Sequence, residues 1–424
     1  MTTTERTGTM PNNGMLNINS PVDFIFDPYS EQAMTDPTAL YRELRERYPA
    51  YPLPQYDAWV LSRFEDVWTV GEDGERFVMD IGPIFEPEQL KTHNGGVAPT
   101  PAPFTRQSFS QLDPPIQSAL RQGVGGPLRP RSVERMEDTI RRLARERLDE
   151  LVPRGEFDLY SEYGGIVSAG VMCTIVGLPT DKAPHLLELI NGALRRNPPG
   201  ISPGMIGPYM ELHELLVEAV IHRRTHSDGQ PIPAIDGLLR TEIDGVPLTD
   251  DQVAEQLGTI LTGGTETVPK VVARCLLELS LRPEQMAEVR ADLSANCRLA
   301  YEETMRFGAP LQHVGRTATQ DVEIAGAHIK AGQRVFLMIP SANRDELEFD
   351  QPDEFIWNRK IERHFAFGHG LHFCIGAHVA RLEGRILLEE LLARIPDFTL
   401  DMSRALIPPS DFQIGYIKLP LVIT

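Results

Sequence analysis

The chain has 424 residues, 41% hydrophobic and 24% charged, an ordinary globular composition with enough length for a large core or, by length alone, two domains. A formal net charge of −19 argues against non-specific nucleic-acid binding. Four widely spaced cysteines (173, 275, 297, 374) make no disulfide framework and fit a reducing cytoplasm. Residues 1–20 are polar, with neither the apolar core of a signal peptide nor a membrane span, and read as a loosely docked tail. Asp36-Pro37 opens a helix through Arg47, with proline at its favoured first position. Trp59-Val60-Leu61 reads as a strand, and a helix follows from Phe64 to near Gly74. From Phe77 to Leu112 periodicity is weak, and a loop that long inside a compact domain tends to be functional. Its Ile84, Phe85, Phe104 and Phe109 offer apolar lining for a pocket; the competing reading is a plain surface loop.

Asp113-Pro114-Pro115 starts the next helix, bearing Gln117 and Arg121. Between Arg129 and Arg147 arginines crowd together, interspersed with Glu134, Glu137, Asp138 and Glu146. This is either a solvated helix face or a docking patch for an acidic protein. Helices are expected over 157–177 and 180–196, joined onward by a Pro/Gly-dense linker at 197–208, a mobile lid or a rigid turn. Thr249 and Gln252 have the spacing of a capping box. The helix they open runs into Thr262-Gly263-Gly264-Thr265-Glu266-Thr267, a segment of poor helix formers. Pro269 costs about 3 kcal/mol in a regular helix interior, so a kink or bulge is expected there. Glu266 and Thr267 set an acid beside an alcohol; the bland alternative is capping where one helix breaks into two. Glu303 and Arg306, three apart, share a helix face and can pair. Short strands at 322–324, 329 and 335–339 and a polar meander at 342–359 follow, and Gln413 to Thr424 alternates like a hairpin strand.

Between the meander and a helix-like run from Ala377 lies Phe367-Gly-His-Gly-Leu-His-Phe-Cys-Ile-Gly376. Its glycines permit tight turns and close backbone approach. Such a loop can present the Cys374 sulfur to a ligand, with N–H groups and a helix N-terminus lowering the thiol pKa. A lone thiolate so placed suits axial ligation of haem iron. Two other readings compete: a buried structural cysteine, and a zinc cluster of His369, His372, Cys374 and His378, whose spacing fits no common zinc pattern.

The loop pattern Phe-Gly-x-Gly-x-His-x-Cys-x-Gly resembles the haem-binding loop of the cytochrome P450 family. Glu303-x-x-Arg306, the Gly-Gly-Thr-Glu-Thr helix and the Asn343 to Arg359 meander occur with it in the order and spacing of that family's soluble bacterial class I branch. The resemblance covers roughly residues 30 to 424, giving a flexible tail over 1–30 and one P450 domain over 31–424. It implies a mainly α fold with a small β-rich part, the P450 triangular prism, holding haem b between the Glu266 helix and the Cys374 loop. It implies Cys374 as the iron ligand, and His372, Arg316 and Arg121 as propionate partners, with Phe367, Gly368 and Gly376 shaping the loop. Gln117 stands where the family commonly has histidine, so that propionate contact should be weaker. Glu303, Arg306 and Arg359 match a structural triad, and Glu266 with Thr267 the acid–alcohol pair that relays protons. Val268-Pro269 departs from the usual residues after that pair. The function implied is a haem-thiolate monooxygenase using O2 and electrons from a separate ferredoxin or flavodoxin system, hydroxylating a small apolar substrate by default. Such an enzyme is expected to be a cytoplasmic monomer without nucleic-acid or membrane partners. The alternatives are a peroxide-using haem-thiolate enzyme and a non-enzymatic haem sensor. Apolar candidates for the substrate pocket are Ile84, Phe85, Phe104, Leu257, Leu261, Leu311, Val314, Phe412 and Ile414.

Overall fold

Hydrophobic periodicity divides the chain between a helical body and a β-rich edge. The structure is a computed structural model that describes residues 24–87, 90, 100, 103–194, 203–226 and 229–424. Residues 1–23 of the expected tail, Arg195 and Arg196, part of the 77–112 loop and residues 197–202 of the 197–208 linker lie outside the described residues. The principal helices are α1 (Thr38–Arg47), α2 (Phe64–Glu72), α3 (Ile116–Val124), α4 (Glu137–Leu151) and α5 (Gly165–Val176). They continue with α6 (Ala183–Ala193), α7 (Ile206–Thr225), α8 (Asp250–Ser280), α9 (Leu293–Phe307) and α10 (Ala377–Arg394). The strands used below are β1 (Ala50–Leu53), β2 (Ala58–Leu61), β3 (Phe77–Val78), β4 (Glu156–Asp158), β5 (His313–Ala318), β6 (Arg334–Met338), β7 (Phe398–Leu400) and β8 (Pro420–Ile423).

The main sheet has the order β1-β2-β6-β5-β3, parallel only between β2 and β6. In register, Val60 faces Phe336, and Phe336 faces Gly315. A Cβ on Gly315 would fall 2.3 Å from the Phe85 ring, so glycine there lets Phe85 fill the space beside Phe336. This small core also takes Phe26 and Tyr29. The Phe26 N–H donates to Tyr51 Oη, and Tyr29 Oη donates to the Phe85 carbonyl. Residues ahead of position 31, the expected start of the domain, thus pack into this core. A smaller sheet, β7-β8-β4, closes the other end. There the strand expected from Gln413 onward is confined to Pro420–Ile423, and residues 413–416 instead run as a loop against Pro310–Leu311.

The helical body is wrapped around α5 and α8. The stretch Leu159–Val176 is apolar and long enough to cross a membrane by composition, but 78% of it is buried here, as the innermost layer between α4, α6 and α8. Thr249 caps α8 as expected, its side chain accepting from the Gln252 N–H while Gln252 Oε1 accepts from the Thr249 N–H. α8 runs as one helix from Asp250 to Ser280 with Pro269 inside it, so the chain neither breaks nor bulges there. Packing overrides the local cost. A Cβ on Gly164 would sit 3.0 Å from Pro269 Cβ, so the proline ring seats directly against that glycine. The threonines do not open the helix either, because Thr262, Thr265 and Thr267 each donate a hydroxyl to the carbonyl one turn back.

Candidate functional site

Gly368 and Gly370 both take positive φ (69° and 70°), and a Cβ on Gly370 would lie 2.5 Å from the Gly71 carbonyl oxygen. The loop thus crosses α2 at a distance only glycine allows. It turns back on itself through Cys374 N–H to Phe367 O (2.8 Å) and Phe373 N–H to Gly370 O (3.0 Å). From α3, Arg121 donates to the Phe373 carbonyl and Gln117 Nε2 to the Leu371 carbonyl at 2.9 Å. Gln117 therefore steadies the loop with an amide N–H. Phe367 is buried beneath Arg381, whose guanidinium carbon lies 4.5 Å from the ring centre. Cys374 itself is exposed, next to the N-cap Gly376 of α10, whose N–H points at the sulfur. The protein packed around the loop pushes the thiol pKa up, while the Gly376 N–H, Arg121 and Arg381 pull it down, as the sequence leads one to expect of them. Metal coordination is what deprotonates such a thiol outright. The zinc reading finds no cluster: among the described residues no three His, Cys, Asp or Glu side chains converge, and His369 is stacked on Trp68 at 3.7 Å.

Beside the sulfur lies an excess of positive charge. Arg316, on β5, is buried and donates to the Gly315 carbonyl (2.8 Å) and to Met79 Sδ (3.4 Å), with no carboxylate in ion-pair range among the described residues. Burial brings its pKa down to about 10, against a weaker pull from Asp113. His372 Nε2 is buried without a hydrogen bond, 3.8 Å from Asp113 Oδ1, and burial lowers its pKa. Three cation-capable groups thus share one carboxylate, a costly arrangement unless an anion joins them. A thiol beside such a set fits a planar iron cofactor carrying carboxylates.

The triad expected from sequence is fully assembled. Arg306 grips both Glu303 oxygens at 2.8 Å, Arg359 Nε reaches Oε1 at 3.1 Å, and the Ile356 N–H adds a third donor at 2.9 Å. Arg306 spends its other donors on the carbonyls of Asn343, Pro352 and Glu354, which fixes the meander leading to the loop.

On α8, Thr267 Oγ1 donates to Gly263 O at 2.9 Å. Glu266 Oε1 accepts from Lys270 Nζ at 2.8 Å, and Lys270 also donates to Gln413 Oε1 at 2.7 Å. Glu266 Oε2 is buried and has no partner among the described residues. Lys270 was missed by sequence reasoning, although its i, i+4 spacing from Glu266 was available as a signal. The accessible stripe of α8 is formed by Thr259, Thr262, Gly263 and Thr267. Leu257 and Leu261, expected to line a pocket, face the core and are fully buried. Phe85 is likewise core, for the steric reason given at Gly315. Gln312 N–H to Phe412 O and Ile414 N–H to Pro310 O, both 2.8 Å, bring half-buried Leu311, Phe412 and Ile414 together, and Val314 is half-buried on β5. Ile84 and Phe104 are half-buried, Phe104 against the main core.

These features define a haem-thiolate protein, and comparison with known proteins makes the class specific. The model of the family described as Cytochrome P450 matches residues 180–420. Cytochrome P450 130 of Mycobacterium tuberculosis is 30% identical over 413 residues, covering 94% of this chain and 98% of that protein. The solved structure of cytochrome P450 CYP109Q5 from Chondromyces apiculatus is similar at a TM-score of 0.80 and 30% identity, over 94% of this chain and 98% of that one. A post-tailoring hydroxylase, HmtN, involved in himastatin biosynthesis, is similar at a TM-score of 0.79 and 27% identity, over 94% and 100%. The chain belongs to the cytochrome P450 family. It is a P450 monooxygenase whose cofactor is haem b, acting with a substrate, O2 and a redox partner.

Proposed function

We propose that this monooxygenase hydroxylates a small apolar organic molecule, with electrons from a separate ferredoxin or flavodoxin system. The observation that carries the reading is the Cys374 thiol beside Arg121, Arg316 and His372, an anion-seeking set with Asp113 as its one carboxylate. Bound haem supplies the iron at which O2 is cleaved and one oxygen atom passed to substrate. Cys374 Sγ would hold that iron, with the Gly376 N–H on the sulfur. Arg121, Arg316 and His372 would bind its carboxylates, while Gln117, Phe367 and Gly368 keep the loop in shape. Glu266 takes up a proton in the course of the relay and Thr267 passes it on from Oγ1, after giving up its bond to Gly263. Leu311, Val314, Phe412 and Ile414, with Ile84 and Phe104, give the substrate an apolar wall and exclude water. The likeness to a hydroxylase supports hydroxylation as the default. Arg129, Arg131 and Arg135 are exposed and make no ion pair among the described residues, which supports docking of an acidic redox protein. The test is the visible spectrum of the reduced protein under carbon monoxide, in wild type and Cys374→Ala. A strongly red-shifted Soret band, lost in the variant, is expected. A band indifferent to Cys374 overturns the ligand assignment. Product that forms with peroxide but not with NAD(P)H and a ferredoxin system overturns the redox-partner reading.

A further inference from the structure

The buried pair on α8 is not closed on itself. Lys270 is 5% exposed and donates to Glu266 Oε1 and to Gln413 Oε1. An ammonium has three donors, so one remains. Lys270 also lines a cavity of 260 Å³, together with Asp36, Thr38, Arg274, Arg344 and Tyr416. Thr35, Asp36 and Thr38 on its rim are exposed, so water reaches this cavity from the side of α1. The other carboxyl oxygen of the pair, Glu266 Oε2, is buried without a partner among the described residues. Lys270 is therefore the side chain that joins a wet cavity to the acid beside Thr267.

We propose that Lys270 is the positioning residue of the proton relay, fixing Glu266 through Oε1 and reloading it from the cavity. The inference rests on the relay reading of Glu266 and Thr267. In the resting pair the ammonium faces a carboxylate. One N–H bond of Lys270 breaks as an O–H bond forms at Glu266, leaving an amine and a neutral carboxyl. The carboxyl turns and releases that proton towards Thr267, becoming a carboxylate again. The amine takes a proton from cavity water, whose charge is made good by bulk buffer. The net result is one proton carried inward, with no electron moved. Arg274 and Arg344 line the same cavity and hold no exchangeable role, being paired with Glu278 and Asp353.

The experiment uses haem-loaded wild type, Lys270→Met, Lys270→Arg and Glu266→Gln. Three quantities are read: the share of NAD(P)H electrons appearing in product, its solvent isotope effect, and the infrared carboxyl band. Lys270→Met should keep the carbon-monoxide spectrum and the substrate-induced spin change. Its product formation should fall about 10²-fold with a larger solvent isotope effect. A new protonated-carboxyl band should appear, because a buried acid without its cation stays neutral, and this band should vanish when Glu266→Gln is added. Lys270→Arg should recover fixation of Glu266 but not fast reloading, since a guanidinium does not give up its proton. If Lys270→Met matches wild type while Glu266→Gln is impaired, the lysine inference fails and the relay stands. If Glu266→Gln itself matches wild type, the relay fails with it. Should Lys270→Met not hold haem, Gln413→Leu removes Lys270's partner from outside the helix. An infrared band unmoved in Gln413→Leu would then overturn the proposal.

Discussion

Two buried glutamates on long helices, Glu303 and Glu266, are each met by a cation one turn away on the same helix. Glu303 is saturated: two arginines and a backbone N–H occupy it, and both side chains of its i, i+3 pair are fully buried. Glu266 has one oxygen held and one left bare. The difference separates a device for holding the fold from one that can change protonation. A saturated cluster has nowhere to put a proton without losing a bond, whereas a bare oxygen in a buried pair can take one. The sharpest way to break this contrast is to neutralise each acid in turn. Glu303→Gln removes the charge facing two buried arginines and should cost about 3–5 kcal/mol, seen by urea unfolding as loss of the folded, haem-binding protein. Glu266→Gln also leaves its cation without a carboxylate, but Lys270 borders the cavity and can still donate to the amide oxygen and to Gln413, so the urea midpoint should shift less, while turnover falls about 10²-fold. Equal destabilisation by both substitutions would erase the distinction.

A third carboxyl lies between these extremes. Glu383 on α10 is fully buried, with Ser168 Oγ donating to Oε1 and Oε2 without a partner among the described residues. No cation meets it among the described residues, and burial pushes its pKa up to about 8, against the lowering effect of Ser168. The folded state therefore holds this proton more tightly than the unfolded chain, where glutamate titrates near 4.3. Its stability contribution is full below about pH 4.3 and is lost as pH rises through about 8. In Glu383→Gln this component of the fall should disappear, so the variant should gain on wild type in thermal midpoint as pH is raised across that window. A constant gap across the window would mean that Glu383 is already charged at neutral pH.

Much of this was legible in the sequence, and the boundary of legibility is physical. The capping box, the Glu303–Arg306 pair and the glycine loop depend on local spacing, so sequence separation alone locates them. What failed depended on tertiary packing. Pro269 reads as the site of a bulge until Gly164 is seen to make room for its ring, and Leu257 and Leu261 read as pocket lining until they are found buried in the main core. Lys270 stood in plain view as a helical neighbour of Glu266. Its importance comes from Gln413 and the cavity, 143 residues away in the chain and visible only once folded.

The smallest effect belongs to the residue next to Glu303. Glu302 points the other way, across to α10 and the loop, where Arg381 binds it through Nε at 2.9 Å and through a terminal nitrogen at 2.6 Å, and His364 Nε2 lies 2.8 Å from Oε1. Burial alone would raise this carboxyl, but Arg381 and His364 together bring it down to about 2. A depressed pKa stabilises the fold above the unfolded value near 4.3, and that contribution is lost as pH falls towards about 2. Glu302 is saturated like Glu303 but sits nearer solvent, so Glu302→Gln should cost only about 1 kcal/mol at neutral pH. The deficit should shrink on acidification through that window, read as converging urea midpoints of variant and wild type. Because Arg381 also covers the Phe367 ring, the same variant should loosen the floor beneath Cys374. A small shift of the reduced carbon-monoxide band with full haem content is the expected sign. A large loss of haem would instead place Glu302 with Glu303 among the residues on which the fold depends.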